Sequence, residues 1–302
     1  MAEHVVDIFR EAGLPDGVLQ TVHCGCLRTL EKLVARPEIK AVAFTGSVAG
    51  GLAVQRAAAD RVVPVGLELG GNDPAYVRDD VDVAWAAQEI VDGAVFNSGQ
   101  SCCSIERVYV HEAVYDDFLQ RVADVLAGYR LGDPFDPATH LGPVVSEKAA
   151  CAIAEHVADA VAHGARVLTP ARVFADAQKL GKTFVRPELL ADCTHAMRVM
   201  NEETFGPVIP VQKVVGDDDA VRLMNDSDLG LTASLWTRDA AKGAELAEQI
   251  EAGTVFVNRC DYPSPVRRPA CPLMLALLTM AGGWANRIWH GPDGRTLVGA
   301  RR

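Results

Sequence analysis

Short apolar runs that end in glycine turns and lead into amphipathic stretches recur along most of this chain, and that alternation restricts it to folds that layer helices on sheets. Residues 40–44 read as a strand running into Thr45-Gly46-Ser47 and then a helix from about residue 50 to 59. Residues 64–69 repeat the strand and end in Gly70-Gly71. A helical pattern follows over 83–96, then the polar loop Asn97-Ser98-Gly99-Gln100 and a strand at 107–110. Helices are expected at 3–13, 113–127, 147–163, 219–224 and 240–251, and strands near 166–168, 208–214, 234–237 and 254–258. The expectation is an α/β fold with largely parallel sheets. Beyond Pro265 the rhythm stops, with no clear strand or helix period.

Composition narrows the class. A chain of 302 residues, 49% hydrophobic and 23% charged, can build a sizeable core and about two domains. The net charge of −11 repels phosphate backbones and anionic lipid surfaces, so neither nucleic acid nor a membrane is an expected partner. Eight cysteines, two of them adjacent at 102 and 103, lack the spacing of a disulfide framework and fit a reducing compartment. The first residues carry no basic segment followed by an apolar run, and the longest apolar stretch, 270–283, is short and interrupted by Pro272. A cytoplasmic protein is expected.

Two places carry chemistry. In Phe44-Thr45-Gly46-Ser47 the glycine lets the backbone approach a ligand, and the serine can cap the next helix or bind an oxygen at a terminus that favours phosphate. Serine caps many helices without any ligand, so both readings stay open. In Gly99-Gln100-Ser101-Cys102-Cys103 a cysteine follows a helix on a short polar loop. A thiol there can act as a nucleophile if partly accessible and activated, whereas a buried cysteine is an inert small hydrophobe.

Phe44-Thr45-Gly46-Ser47, Leu67-Glu68-Leu69-Gly70-Gly71, Phe96-Asn97-Ser98-Gly99-Gln100-Ser101-Cys102 and Glu203-Thr204-Phe205-Gly206-Pro207 occur in the order seen in the aldehyde dehydrogenase superfamily, and the chain resembles it over about residues 3–265. Gly253-Thr254-Val255-Phe256-Val257-Asn258 is similar to a late strand of that family's catalytic domain. The resemblance implies a partial Rossmann-like dinucleotide-binding domain over 1–69, a catalytic thiol domain over 70–258 and a divergent tail over 259–302. It implies NAD or NADP as cofactor and a small aldehyde as substrate, with no metal. Cys102 matches the nucleophile and Glu68, 34 residues earlier, the general base, with Gly70 leaving room beside the nicotinamide. Glu203 matches the residue that holds the nicotinamide ribose, Phe205 one that packs near the ring, and Gly46 and Ser47 the turn at the pyrophosphate. The implied reaction runs through a thiohemiacetal and a thioester on Cys102, whose backbone N–H helps hold the oxyanion. Glu68 then activates the hydrolytic water, and its carboxylate must converge with the sulfur on one cavity.

The match has limits. Segments that precede the counterpart of residue 3 in the family, including an oxyanion-hole Asn, are not found, and losing one such donor typically costs about 10²–10³ in turnover. After Pro265 the chain resembles nothing in the family, as a shifted reading frame would produce, and Asn72 stands where a lysine is common. A homo-oligomer is compatible with the resemblance, with the altered tail counting against it. The competing functions are a truncated, inactive member acting only as a binding or subunit-interaction protein, and a cysteine hydrolase. Cys24-Gly25-Cys26 near His23 has no second ligand pair and reads as a surface loop, His111 and His140 as surface histidines, Asp217-Asp218-Asp219 as acids serving a helix N-terminus, and Trp236 as core.

Overall fold

The computed structural model describes residues 1–170, 172–260, 286–290 and 296–300. The chain divides into two units, Met1–Leu69 and Gly70–Arg302. Among the described residues no helix is long and apolar enough to cross a membrane.

The first unit contains α1 (Ala2–Glu11), α2 (Leu27–Val34), β1 (Val42–Thr45), α3 (Val48–Ala58) and β2 (Val65–Glu68). β1 and β2 pair in parallel from Val42↔Val65 to Thr45↔Glu68. Val34, Val54 and Ala58 form a small buried core against Leu30, Phe44 and Leu67. α2 was not expected from the sequence, and Cys26 serves as its exposed N-cap position. No group of three metal-ligating side chains occurs among the described residues.

The second unit runs β3 (Asp73–Val77), α4 (Val83–Val95), β4 (Ile105–His111), α5 (Tyr115–Ala127), α6 (Glu147–Ala162), β5 (Arg166–Val167), α7 (Ala177–Leu180), β6 (Glu188–Ala191), β7 (Val208–Val214), α8 (Asp217–Met224), β8 (Thr232–Trp236), α9 (Ala240–Ala247), β9 (Thr254–Val257), β10 (Asn286–His290) and β11 (Thr296–Ala300). Seven strands form one sheet in the order β5-β6-β7-β4-β3-β8-β9, parallel throughout except for the β5–β6 pair.

Alternation along the central strands sorts side chains to two faces. Ala75 and Val77 of β3 and Val108 and Val110 of β4 join Ile90, Val91 and Phe118 from α4 and α5. Tyr76 and Tyr109 point the other way, into a second cluster with Ile153, Leu223 and Leu246 from α6, α8 and α9. The result is a helix layer on each side of the sheet, which explains why the central strands read as near-continuous apolar runs. Caps mark the helix starts: Asp82 accepts from the Trp85 N–H, Ser146 from Ala149, and Asp239 from Ala241 and Lys242.

Besides α2 and the single-turn α7, neither of which was expected, three strand features depart from the sequence expectation. β3 was missed because Pro74 argues against a central strand; the ladder with β4 shifts register between Asp73 and Pro74, the kind of irregularity that tolerates a missing N–H. β6 was missed because four residues after a proline give too short a pattern to recognise. β10 and β11, an antiparallel pair, lie beyond Pro265 where no period was seen; the rest of the divergent tail from residue 261 lies outside the described residues. Trp236 is fully buried, and the three aspartates 217–219 form the first turn of α8. His111 and His140 each accept a backbone N–H through Nδ1, from Ala113 and Arg130.

Phe118 sits fully buried where α5 meets the sheet. Phe118→Ala should therefore lower unfolding stability by about 3–5 kcal/mol, read from the denaturant midpoint with the slope unchanged. A shift below about 1 kcal/mol would show that this face is not the core.

Candidate active site

The site of the second unit follows from strand order. β7, β4 and β3 are neighbours and parallel, so the segments that enter them arrive side by side at one edge of the sheet. Those segments are Glu203-Thr204-Phe205-Gly206-Pro207 before β7, the Cys102 loop before β4, and Gly70-Gly71 before β3.

Bare glycines let the three backbones touch. A Cβ on Gly99 would lie 2.1 Å from the carbonyl oxygen of Gly206, and one on Gly71 would lie 2.5 Å from the carbonyl oxygen of Cys102. A Cβ on Gly70 would strike the Glu203 carboxylate at 2.1 Å. Cys102, Gly70, Glu203 and Phe205 are thus brought together.

The thiol loop leaves α4 through three successive left-handed residues, Asn97 (φ 50°), Ser98 (φ 59°) and Gly99 (φ 72°). Two of these are not glycine, a conformation costing roughly 1–2 kcal/mol per residue. Side-chain bonds offset it: Asn97 Nδ2 donates to the Gln100 carbonyl at 3.0 Å, and Ser98 Oγ to the Gly142 carbonyl at 2.8 Å. Gln100 Oε1 accepts the Val145 N–H at 2.7 Å, and Ser104 Oγ donates to the Ala94 carbonyl at 3.0 Å. Cys102 and Cys103 are half-buried, with sulfurs 3.7 Å apart. The thiol is therefore held on a rigid, partly accessible loop.

In the first unit, Gly46, Ser47 and Glu68 lie at the carboxyl end of the parallel β1–β2 pair, where α/β sheets commonly bind ligands. The Gly46 N–H donates to the Glu68 carbonyl at 3.0 Å. Ser47 Oγ accepts the Gly50 N–H at 3.2 Å and caps α3, so the capping reading holds. Glu68 is half-buried and Ser47 exposed.

The model of the aldehyde dehydrogenase family matches residues 1–269. The chain belongs to the aldehyde dehydrogenase family. It is similar to a 4,4'-diapolycopene aldehyde oxidase of Methylomonas sp, 39% identical over 84% of this chain and 46% of the relative. The Mycobacterium tuberculosis aldehyde dehydrogenase complexed with NAD+ superimposes with TM-score 0.80 and 34% identity, over 86% of this chain and 53% of that one. An NADP-dependent glyceraldehyde-3-phosphate dehydrogenase from Bacillus halodurans C-125, complexed with NADP, gives TM-score 0.83 and 32% identity over 99% and 60%. The chain spans about half the length of the curated relatives it matches.

One residue of this aldehyde dehydrogenase family member was not singled out from its sequence. Glu106, buried in β4, accepts the Thr204 N–H at 2.8 Å and the Phe205 N–H at 2.7 Å. It also accepts from Asn72 Nδ2 at 3.1 Å, and the same Asn72 nitrogen donates to the Glu202 carbonyl at 3.1 Å. Burial pushes the Glu106 carboxyl up to about 7. The available signal was a charged pair, Glu106-Arg107, inside an otherwise apolar strand. Arg107 is also fully buried and donates to the carbonyls of Asn72, Leu223 and Met224. Glu203 is half-buried, raised by burial, and accepts the Gly71 N–H at 3.2 Å through Oε1.

Because Gly99 has both a left-handed φ and no room for a Cβ, Gly99→Ala should cost about 2 kcal/mol or more and change the labelling rate of Cys102. Gly128→Ala, at the end of α5 with φ −85° and an ordinary 3.4 Å contact, should leave both unchanged. Equal melting temperatures for the two variants would refute the proposed packing of the thiol loop.

Proposed function

We propose that this chain carries the thiol and nicotinamide chemistry of an NAD(P)-dependent aldehyde dehydrogenase, with Cys102 as nucleophile. The observation that supports it most is the meeting of Gly70-Gly71, the Cys102 loop and Glu203–Pro207 at the amino ends of three adjacent strands.

The residues present fit a nicotinamide nucleotide. Glu203 lies over the bare Cα of Gly70, and its Oε2, which takes no part in the bond from Gly71, can accept from ribose hydroxyls. Phe205 exposes 40% of its surface beside it and would pack near the ring. In the first unit, Gly46 and Ser47 would meet the pyrophosphate, which the N-terminus of α3 favours through its dipole.

The Cys102 thiolate adds to the aldehyde carbonyl, forming the C–S bond of a thiohemiacetal. When bound, the nicotinamide supplies the two-electron acceptor that makes oxidation to the thioester possible. Glu68, from its motif, takes a proton from water, the water adds to the thioester, and cleavage of the C–S bond releases the carboxylic acid and returns the thiol.

Aldehyde-dependent formation of NADH or NADPH, followed by absorbance across a panel of aldehydes, tests this reading. Cys102→Ala should bring the rate to background. Glu68→Gln should accumulate an acyl adduct on Cys102, visible by intact mass. In parallel, Cys102 should be alkylated at neutral pH about tenfold faster than Cys151, an exposed cysteine on α6. A flat trace with both nucleotides at high protein concentration sinks the proposal, and ester cleavage without nucleotide would point instead to a thiol hydrolase.

A further inference from the structure

Glu203 and Phe205 belong to a segment with no regular structure, and Phe205 itself has a left-handed backbone, φ 50°, that a phenylalanine adopts only under constraint. The constraint comes from β4. Both carboxylate oxygens of Glu106 are spent on consecutive N–H groups, Thr204 to Oε2 and Phe205 to Oε1. Asn72 ties Glu106 Oε2 to the Glu202 carbonyl. The Thr204 side chain is held as well, His156 Nδ1 of α6 bonding its Oγ1 at 3.1 Å. Glu106 is the fourth residue after Cys102, so one strand start carries both the thiol loop and this clamp.

We propose that Glu106 is a positioning residue that holds the Glu202–Phe205 backbone in the form that presents Glu203 and Phe205 to a nicotinamide nucleotide. It rests on the function proposed above. The clamp needs a carboxylate, because both of its oxygens must accept. Around it stand Glu203 on the clamped segment, Asn72 and the buried Asp73 at the start of β3, Arg107 on β4 and His156 on α6. Burial drives Glu106 up to about 7 and holds His156 below its ordinary value. As pH falls through about 7, Glu106 gains a proton, one oxygen becomes a donor, and an N–H loses its partner.

The full chain is titrated with NADH and with NADPH by fluorescence from about pH 6 to pH 8.5, a window that brackets a carboxyl raised toward neutrality. Wild-type affinity should weaken about tenfold toward the acid end, the loss expected from one hydrogen bond. Glu106→Gln, whose amide opposes one N–H with another donor, should bind about tenfold more weakly at alkaline pH and show no acid weakening. Glu106→Asp should bind with intermediate affinity and keep the pH dependence, which a loss of packing alone would not produce. Hydrogen exchange at the Thr204 and Phe205 amides should speed up in Glu106→Gln while Cys102 labelling stays within about twofold of wild type. Wild-type affinity and wild-type amide protection in Glu106→Gln would overturn the proposal. If the wild-type chain binds neither nucleotide, the dehydrogenase reading fails by itself, and amide exchange then decides the clamp: acceleration in Glu106→Gln supports it, and no change overturns it.

Discussion

Parallel hydrogen bonding of β7, β4 and β3 sets everything else in the second unit. Adjacent strands lie about 4.8 Å apart, so three loops entering them must share one small volume. Side chains would not fit between them, and glycines at 71 and 99 appear where the backbones meet, while Gly206 leaves room for the Ile153 side chain of α6. The proposed thiol chemistry then lies at the amino edge of this sheet, whereas in the first unit the glycine-serine turn and Glu68 occupy the carboxyl edge of β1–β2. The two edges suit different tasks. A carboxyl edge leads into helix N-termini that favour phosphate, while an amino edge offers unpaired strand N–H groups that carboxylates can bind.

Those carboxylates are buried at a cost. Asp73, Glu106 and Arg107 lie within the sheet, each almost fully buried, and a charge so placed persists only when hydrogen-bonded. Glu106 has two backbone donors and an amide, and Arg107 has carbonyls, two of them at the end of α8, where the helix dipole favours a cation. Asp73 accepts from the Thr232 hydroxyl and is pushed well above the ordinary carboxylate range by burial. The network fixes loop geometry at the expense of stability that an apolar filling would have supplied.

How much of this is legible in the sequence depends on whether a residue acts through its neighbours in the chain or across the sheet. Most helices and strands follow from periodicity, though α2 and the single-turn α7 do not, and the turns at Gly46, Gly70 and Gly99 follow from local composition. β3 is hidden by Pro74, because a proline in a central strand is readable only once the register shift against β4 is seen. The thiol loop stands out as a cysteine after a polar turn. Glu106 does not, because its partners at 204 and 205 are almost a hundred residues away, and only the strand order brings them to it. Ser47 shows the converse: a local pattern with two readings, of which the capping bond to Gly50 is present in the fold.

The four-residue interval from Cys102 to Glu106 links these observations. Ser104, between them, donates to carbonyls at the end of α4, and Ile105 begins the ladder with β3, so the interval cannot lengthen without breaking one anchor. A shift of β4 by one residue would turn Glu106 to the other face and leave the Thr204 and Phe205 N–H groups without it, since side chains alternate along a strand. The position of the sulfur and the position of Glu203 are therefore set by one register. That is why the sheet, and not the loops themselves, governs the geometry of the site.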